Sequence, residues 1–356
     1  MEILIQALAD VTDQVPEDPL VPEWICIQSR GMKQWISLEL ARIRGISAQL
    51  KFLFPADLIQ YFLDQQPDQP VLDMDALVWA VYAQLDTHPP ARDLAPLAAY
   101  FESDDTGKKK IQLARQIAGV LDDYQVYRPD MLMNWEKNGP LAHPESRNEI
   151  WQSRLWRNIV SRSRAGSLPC QMAGLVTAAA EKTLPDLPHR ISLFGLSSVP
   201  PSFLSVFSAL DTQVFLFVLT PSSHYFFDMV SPGRMDRIHL ARSDGAGPGP
   251  QEDHWEIGHP LLTSLGRSGR QFQGQLERFD YLEPFPDLFV DPAADSAPAT
   301  MLSMLQSDIL NLIFRYPGGD APPVPVDADD ISICVHVCHS PMREAKVLKD
   351  LLLDTF

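Results

Sequence analysis

Two hydrophobic rhythms divide this chain, and their order limits the folds open to it. Continuous apolar runs at residues 22–28, 191–195 and 212–222 are bounded by proline, glycine or charge. Each has the length of a buried strand, and such runs suit a parallel sheet covered on both faces. Between the first and second runs, residues 74–184 read almost throughout with helical spacing. A strand-helix-strand unit near the start is thus matched by another far along the chain. The simplest architecture is one parallel α/β domain interrupted by a helical insertion. We expect its first part over residues 1–64, the insertion over 65–188 and the remainder over 189–315. The stretch "YPGGDAPPVPVDADD" then reads as a linker, at 316–330. Residues 331–356, a strand "ISICVHVCHS" and a helix, read as the start of a second α/β domain.

Local signals sharpen this outline. The run "WICIQSRGMKQW" goes from a strand into a helix, with Trp35, Ile36, Leu38 and Ile43 at helical spacing and Gly45 as its stop. Pro55 opens a second helix. In "KKKIQLARQIAGVLDDYQVY", Ile111, Ala114, Ala118 and Leu121 form the apolar face, and Gln112, Arg115, Gly119 and Asp122 line the other. Pro129 opens a further helix, and Trp151, Leu155 and Ile159 share a face of the next one. Tryptophans at such spacings read as core rather than as stacking platforms.

Composition excludes some classes. No apolar run approaches the roughly 18 residues that span a bilayer. The start "MEILIQALADV" has no basic region before its apolar part, unlike a secretory signal. Four scattered cysteines, Cys26, Cys170, Cys334 and Cys338, fit a reducing, cytoplasmic setting. A net charge of −17 argues against a general phosphate-binding surface, although a local polar channel stays open.

The chemistry-bearing motifs are mostly quiet. Strand, glycine turn and helix in "IQSRGMKQW" have the outline of a phosphate loop, but there is one glycine and no GK[ST]. No cofactor is expected on this chain, and no ATP hydrolysis by it. Cys334, His336 and Cys338 alternate along a strand, a flat row that wraps a tetrahedral ion poorly; no metal is expected. The carboxylates of "HPESRNEIW" and "ESDDTGKKK" read as solvated surface. Arg154, Arg157, Arg162 and Arg164 read as an exposed helix face.

Six blocks in order, "ICIQSRGMKQW", "LDDYQVYRPDML", "LFGLSSVPPSFL", "HPLLTSLGRSGR", "QSDILNL" and "ISICVHVCHSPMREAKVL", resemble the N-terminal part of the RecC family. These are the gamma subunits of exodeoxyribonuclease V, the RecBCD helicase-nuclease. The resemblance covers essentially the whole chain. It implies an inactivated superfamily-1 helicase-like domain (1A) with its helical insertion (1B), and the start of a second such domain (2A). It also implies a non-catalytic subunit in a heterotrimer with RecB-like and RecD-like partners, which use ATP and Mg²⁺. Such a subunit handles duplex ends and guides and scans the 3′-ended single strand for the signal Chi. The family has a further short strand before its first helix, so this chain is expected to lack that strand and the usual position of a phosphate loop.

Residue by residue, the resemblance places Gln28, Gln34, Asp122 and Arg128 on matching positions of the family's strand-reading pocket. Phe54 stands where an apolar residue meets a base. Arg30 replaces a small hydroxyl residue, Gln60 a tryptophan and Gly119 an aspartate, and the region near Met172 lacks an arginine. These departures imply altered reading of the signal. The rival expectation is a scaffold subunit that holds its partners without reading DNA.

Overall fold

The computed structural model describes residues 1–14, 20–66, 71–86, 97, 100, 107–143, 146–163, 165–230, 234–236, 256–283, 288–295, 298–313, 315 and 321–355. They form a mixed α/β structure of two compact units, residues 1–219 and 220–356.

The first unit is built on four parallel strands, β1 (Glu23–Cys26), β2 (Leu50–Leu53), β3 (Arg190–Phe194) and β4 (Gln213–Phe217), in the order β2-β1-β3-β4. β1 is central because it is apolar on both faces: Trp24, Ile25, Cys26 and the following Ile27 are all buried. It pairs in register with β2 on one side and with β3 on the other, across the whole helical segment. Burial pushes the Cys26 thiol up to about 12, with Asp57 adding to the effect.

Helix α1 (Glu2–Thr12) precedes the sheet. Helix α2 (Arg30–Arg44) starts where extended Ser29 accepts the Met32 N–H at 3.2 Å. It ends at Gly45, whose φ of 80° needs no Cβ. Helix α3 (Pro55–Leu63) begins at a proline already set to the helical φ.

Among the described residues the helices α4 (Met74–Leu85), α5 (Lys108–Tyr127), α6 (Pro129–Glu136), α7 (Arg147–Arg162) and α8 (Leu168–Ala180) follow, and α4 to α7 share a core of their own. The expected stripe on α5 is buried at Ala114, Ala118 and Leu121, and Trp135, Leu155, Trp156 and Ile159 pack against it. Gln125, only 2% exposed, continues the same stripe. Its Nε2 donates to the Leu72 carbonyl at 3.4 Å, and its Oε1 accepts the Leu168 N–H at 3.0 Å. One side chain therefore ties Leu72, just before α4, to the start of α8, and the Leu72 N–H also donates to Gly166 O at 3.3 Å. Helix α9 (Pro201–Ala209) links β3 to β4.

Two expectations need correction in this unit. The run at 212–222 is not covered on both faces. β4 is an edge strand, with Gln213 and Leu216 exposed and Phe217 buried, and among the described residues no later strand adds to it. Glu149 of "HPESRNEIW" is buried, not solvated. It accepts hydrogen bonds from Trp135 Nε1 (3.2 Å), Ala142 N (2.9 Å) and His143 N (2.7 Å), closing the α6–α7 turn.

The second unit has a two-residue pair, β5 (Met229–Val230) with β6 (Glu256–Ile257). Its helices include α10 (Pro260–Ser264), α11 (Arg267–Leu276), α12 (Pro292–Asp295), α13 (Met301–Leu310) and α14 (Pro341–Thr355). Thr300 caps α13, accepting the Ser303 N–H at 3.2 Å. The expected strand at "ISICVHVCHS" is absent. Its backbone has no neighbouring strand among the described residues, and Val335 and Val337 are exposed. Helix α14 is present but buries no residue. Of the expected linker, 321–330 lacks helix or strand and is exposed over 322–329, while 316–320 lies outside the described residues.

Candidate functional site

Parallel sheets expose their ligand crevices outside the carboxyl ends of the strands. Here that edge is formed by the segments leaving β1, β2 and β3. Gln28 and Ser29 follow β1, Phe54 follows β2, and Gly195 to Ser198 follow β3.

The N-terminus of α2 points its first N–H groups toward this edge. In a phosphate loop those groups and a lysine would hold phosphate. Here the Ser29 hydroxyl caps the helix from within by accepting the Met32 N–H, and a single glycine, Gly31, lies in the first turn. Gly195 leaves β3 at φ +61°, with the Met32 and Met1 methyl groups close by; a Cβ would stand 3.0 Å from Met32 Cε. The loop after β3 is thus packed by methionine side chains.

The sequence-derived site residues fall into two groups. Gln28, Arg30 and Gln34 are exposed at the end of β1 and on the first turns of α2. Gln28 Nε2 donates to Ser197 Oγ at 2.9 Å. Half-buried Phe54 is the residue before α3, and its backbone N–H donates to Asp57 Oδ2 at 3.4 Å. Exposed Gln60 lies further along α3, its Nε2 donating to Asp64 Oδ1 at 2.7 Å. Within the sheet, Lys51 Nζ lies 3.6 Å from the Trp24 ring centroid and 4.9 Å from that of Tyr61.

Asp122 and Arg128 belong to the helical segment. Burial raises the Asp122 carboxyl above its ordinary value; the Gln125 amide opposes this, and the charges of Asp123 and Asp73 add to it. Arg128 joins α5 to α6, and its guanidinium lies 5.8 Å from the Tyr124 ring centroid. Among the described residues, no hydrogen bond, ion pair or ring contact joins Asp122 or Arg128 to the sheet-edge group. Gly119 lies on α5 with room for a Cβ, 3.7 Å from Met74 Cε, and Met172 is buried in α8.

Two residues escaped the sequence reading. Ser197 carries no motif; its position beside Gln28 follows from β1 and β3 being neighbours. Gln125 had a visible signal, a polar residue four positions after Leu121 on an apolar stripe. The expected arginine face of α7 is half realised. Arg154 and Arg162 are exposed and Arg157 donates to Asn138 Oδ1 at 2.8 Å, while Arg164 lies outside the described residues. Among the described residues, no group of three or more histidine, cysteine, aspartate or glutamate side chains could hold a metal. Nor is any described helix long and apolar enough to cross a membrane.

Comparison with known proteins fits this geometry. A family model described as RecC, N-terminal domain, matches residues 1–312. A protein named RecBCD enzyme subunit RecC from Escherichia coli (strain K12) is 31% identical over 375 residues, 95% of this chain and 33% of the relative. Its namesake from Haemophilus influenzae is 30% identical over 397 residues, covering 96% and 34%. That from Mycolicibacterium smegmatis is 29% identical over 362 residues, covering 99% and 30%. The chain thus spans about a third of the length of the curated relatives it matches.

Proposed function

Because this chain belongs to the RecC family, through its N-terminal domain, we propose that it serves as a non-catalytic DNA-handling subunit of a RecBCD-type helicase-nuclease. In this reading it works in double-strand break repair and homologous recombination in the cytoplasm. Its partners are RecB-like and RecD-like subunits, which supply ATP and Mg²⁺ chemistry, and its ligands are DNA ends and the 3′-ended single strand. The parallel sheet is read as that of a helicase-like domain without a nucleotide site, interrupted by a helical insertion.

The observation that carries this reading is the carboxyl edge of the sheet. At the junction after β1, helix α2 is capped by Ser29 and the loop after β3 is packed by Met32. The same edge carries exposed Gln28 and Arg30 and half-buried Phe54. Glutamine amides pair with base edges and aromatic rings stack on bases of any sequence. A single strand drawn along this edge meets both kinds of contact.

Recognition of Chi itself is expected to be weak. Gln60 stands where the family has a tryptophan, and Gly119 where it has an aspartate. Each bidentate contact discriminates by about 1–3 kcal/mol, so losing two or three removes much of the preference. The test digests a duplex carrying Chi with the assembled enzyme and looks for protected fragments ending there. Protection equal to that of a relative with the full residue set would overturn the altered-reading part. Failure of the full-length subunit to bind single strands would favour the second reading, a scaffold that does not touch DNA. The net charge of −17 is the observation on its side.

A further inference from the structure

The Gln28 amide is already occupied at its reading edge. Its Nε2 donates to Ser197 Oγ at 2.9 Å, and the same Oγ lies 3.3 Å from Gln28 Oε1. An oxygen within hydrogen-bond reach of both terminal atoms lies in front of the amide fork, because Cδ and Cγ fill the space behind. That is the position of a base edge in a bidentate contact, such as N6–H and N7 of adenine.

The placement of Ser197 is a property of the sheet. β1 and β3 run side by side with Cys26 opposite Leu193, so the residues that follow each strand emerge together. The chain leaves β3 through Gly195 in the left-handed region, and Ser197 two residues on meets Gln28 just past the end of β1. Gln28 and Ser197 are both exposed, so a strand can reach them.

Resting on the single-strand reading above, we infer that Ser197 is a specificity-determining residue whose hydroxyl fills the Gln28 fork until a base edge displaces it. A base offering a donor beside an acceptor restores both contacts of the amide. A base that meets one atom of the amide displaces the hydroxyl at a net loss. Ser197 thereby makes partial contacts unproductive and holds overall affinity down.

The experiment uses the full-length subunit in its assembled complex, with labelled oligo(dA) and an abasic strand of equal length as probes, followed by fluorescence anisotropy. Ser197→Ala is expected to tighten oligo(dA) binding about two- to tenfold, the worth of one net hydrogen bond. It should leave the abasic strand unchanged and give no gain in a Gln28→Ala background. Unchanged or weaker oligo(dA) binding by Ser197→Ala, with Gln28→Ala still impaired, would overturn the inference and leave the reading intact. If Gln28→Ala binds oligo(dA) as the parent does, the reading of Gln28 fails and the inference falls with it. Ser197 is exposed, so the substitution does not disturb the core.

Discussion

Arg190, at the start of β3, donates through Nε to Oε2 of Glu23, at the start of β1, across 2.7 Å although the two stand 167 positions apart in the sequence. A second guanidinium nitrogen meets Glu23 Oε1 and donates to the Gln14 carbonyl at 2.7 Å. The arginine is 2% exposed and the glutamate 13%. The planar guanidinium fork matches a carboxylate in two parallel bonds. This pair aligns the two strands that the helical segment separates in sequence.

Removing one partner would leave a buried charge without compensation. Glu23→Ala is expected to cost about 3–5 kcal/mol, whereas Glu23→Leu combined with Arg190→Met should recover most of that. Urea unfolding of the two variants against the parent measures it. A loss below about 1 kcal/mol for the single variant would show that the pair is solvated in solution.

Glu149 gives a pH-dependent prediction. Burial alone would raise its pKa, but the N–H groups of His143 and Ala142, the Trp135 indole and the charge of His143 outweigh it and hold the carboxyl below its ordinary value. A depressed folded pKa contributes stability above the unfolded pKa of about 4.3, and this is lost as pH falls through the folded pKa. Glu149→Gln should therefore be less stable than the parent at neutral pH, and the gap should narrow as pH drops below about 4. Thermal midpoints measured from pH 7 to pH 3 test this. A constant gap would mean that the carboxylate charge plays no part in closing the α6–α7 turn.

Two glycines should respond to alanine with opposite signs. Gly195 has φ +61° and a Cβ there would press on Met32 Cε at 3.0 Å, so Gly195→Ala is expected to destabilise by about 1–3 kcal/mol. Gly269, within α11, has nothing within 4 Å of its Cβ position, so Gly269→Ala is expected to stabilise by about 0.4–1 kcal/mol. Denaturant midpoints at constant m-value decide both.

Much of the first unit was legible because its signals are local. Apolar runs, Pro55, Gly45 and the α5 stripe each act within one element, and each is found where the pattern put it. The misses concern what lies beside an element. "TQVFLFVLTPS" has the composition of a central strand, yet β4 is an edge, since strand order depends on pairings that a run of residues does not encode. "ISICVHVCHS" has β-branched alternation but no neighbouring strand among the described residues, and a lone strand leaves its N–H and C=O groups unpaired. Glu149 looked like surface because its three donors come from a turn and a tryptophan fourteen residues away. The candidate site divides the same way. Gln28 and Phe54 were readable from the strand-to-helix junctions that carry them, whereas Ser197 joins Gln28 across 169 residues through sheet order alone.

Gln60 allows the sheet-edge reading to be tested by gain rather than loss. It is exposed on α3, the helix that Phe54 precedes, and its amide donates to Asp64 one turn later at 2.7 Å. Such a surface pair is worth about 0.2–0.5 kcal/mol, so replacing Gln60 should barely alter folding. An indole at this position offers a stacking face to a strand that passes Phe54. Stacking on an aromatic ring contributes about 1–3 kcal/mol per base and tolerates any sequence. Gln60→Trp in the assembled complex is therefore expected to tighten binding of oligo(dT) by about that amount. Stacking releases no counterions, so the slope of log K against log salt should stay unchanged. Anisotropy titrations at several salt concentrations give both quantities. Unchanged affinity in a variant that folds as the parent does would show that no base passes α3, and the strand would have to be sought along another face of the unit.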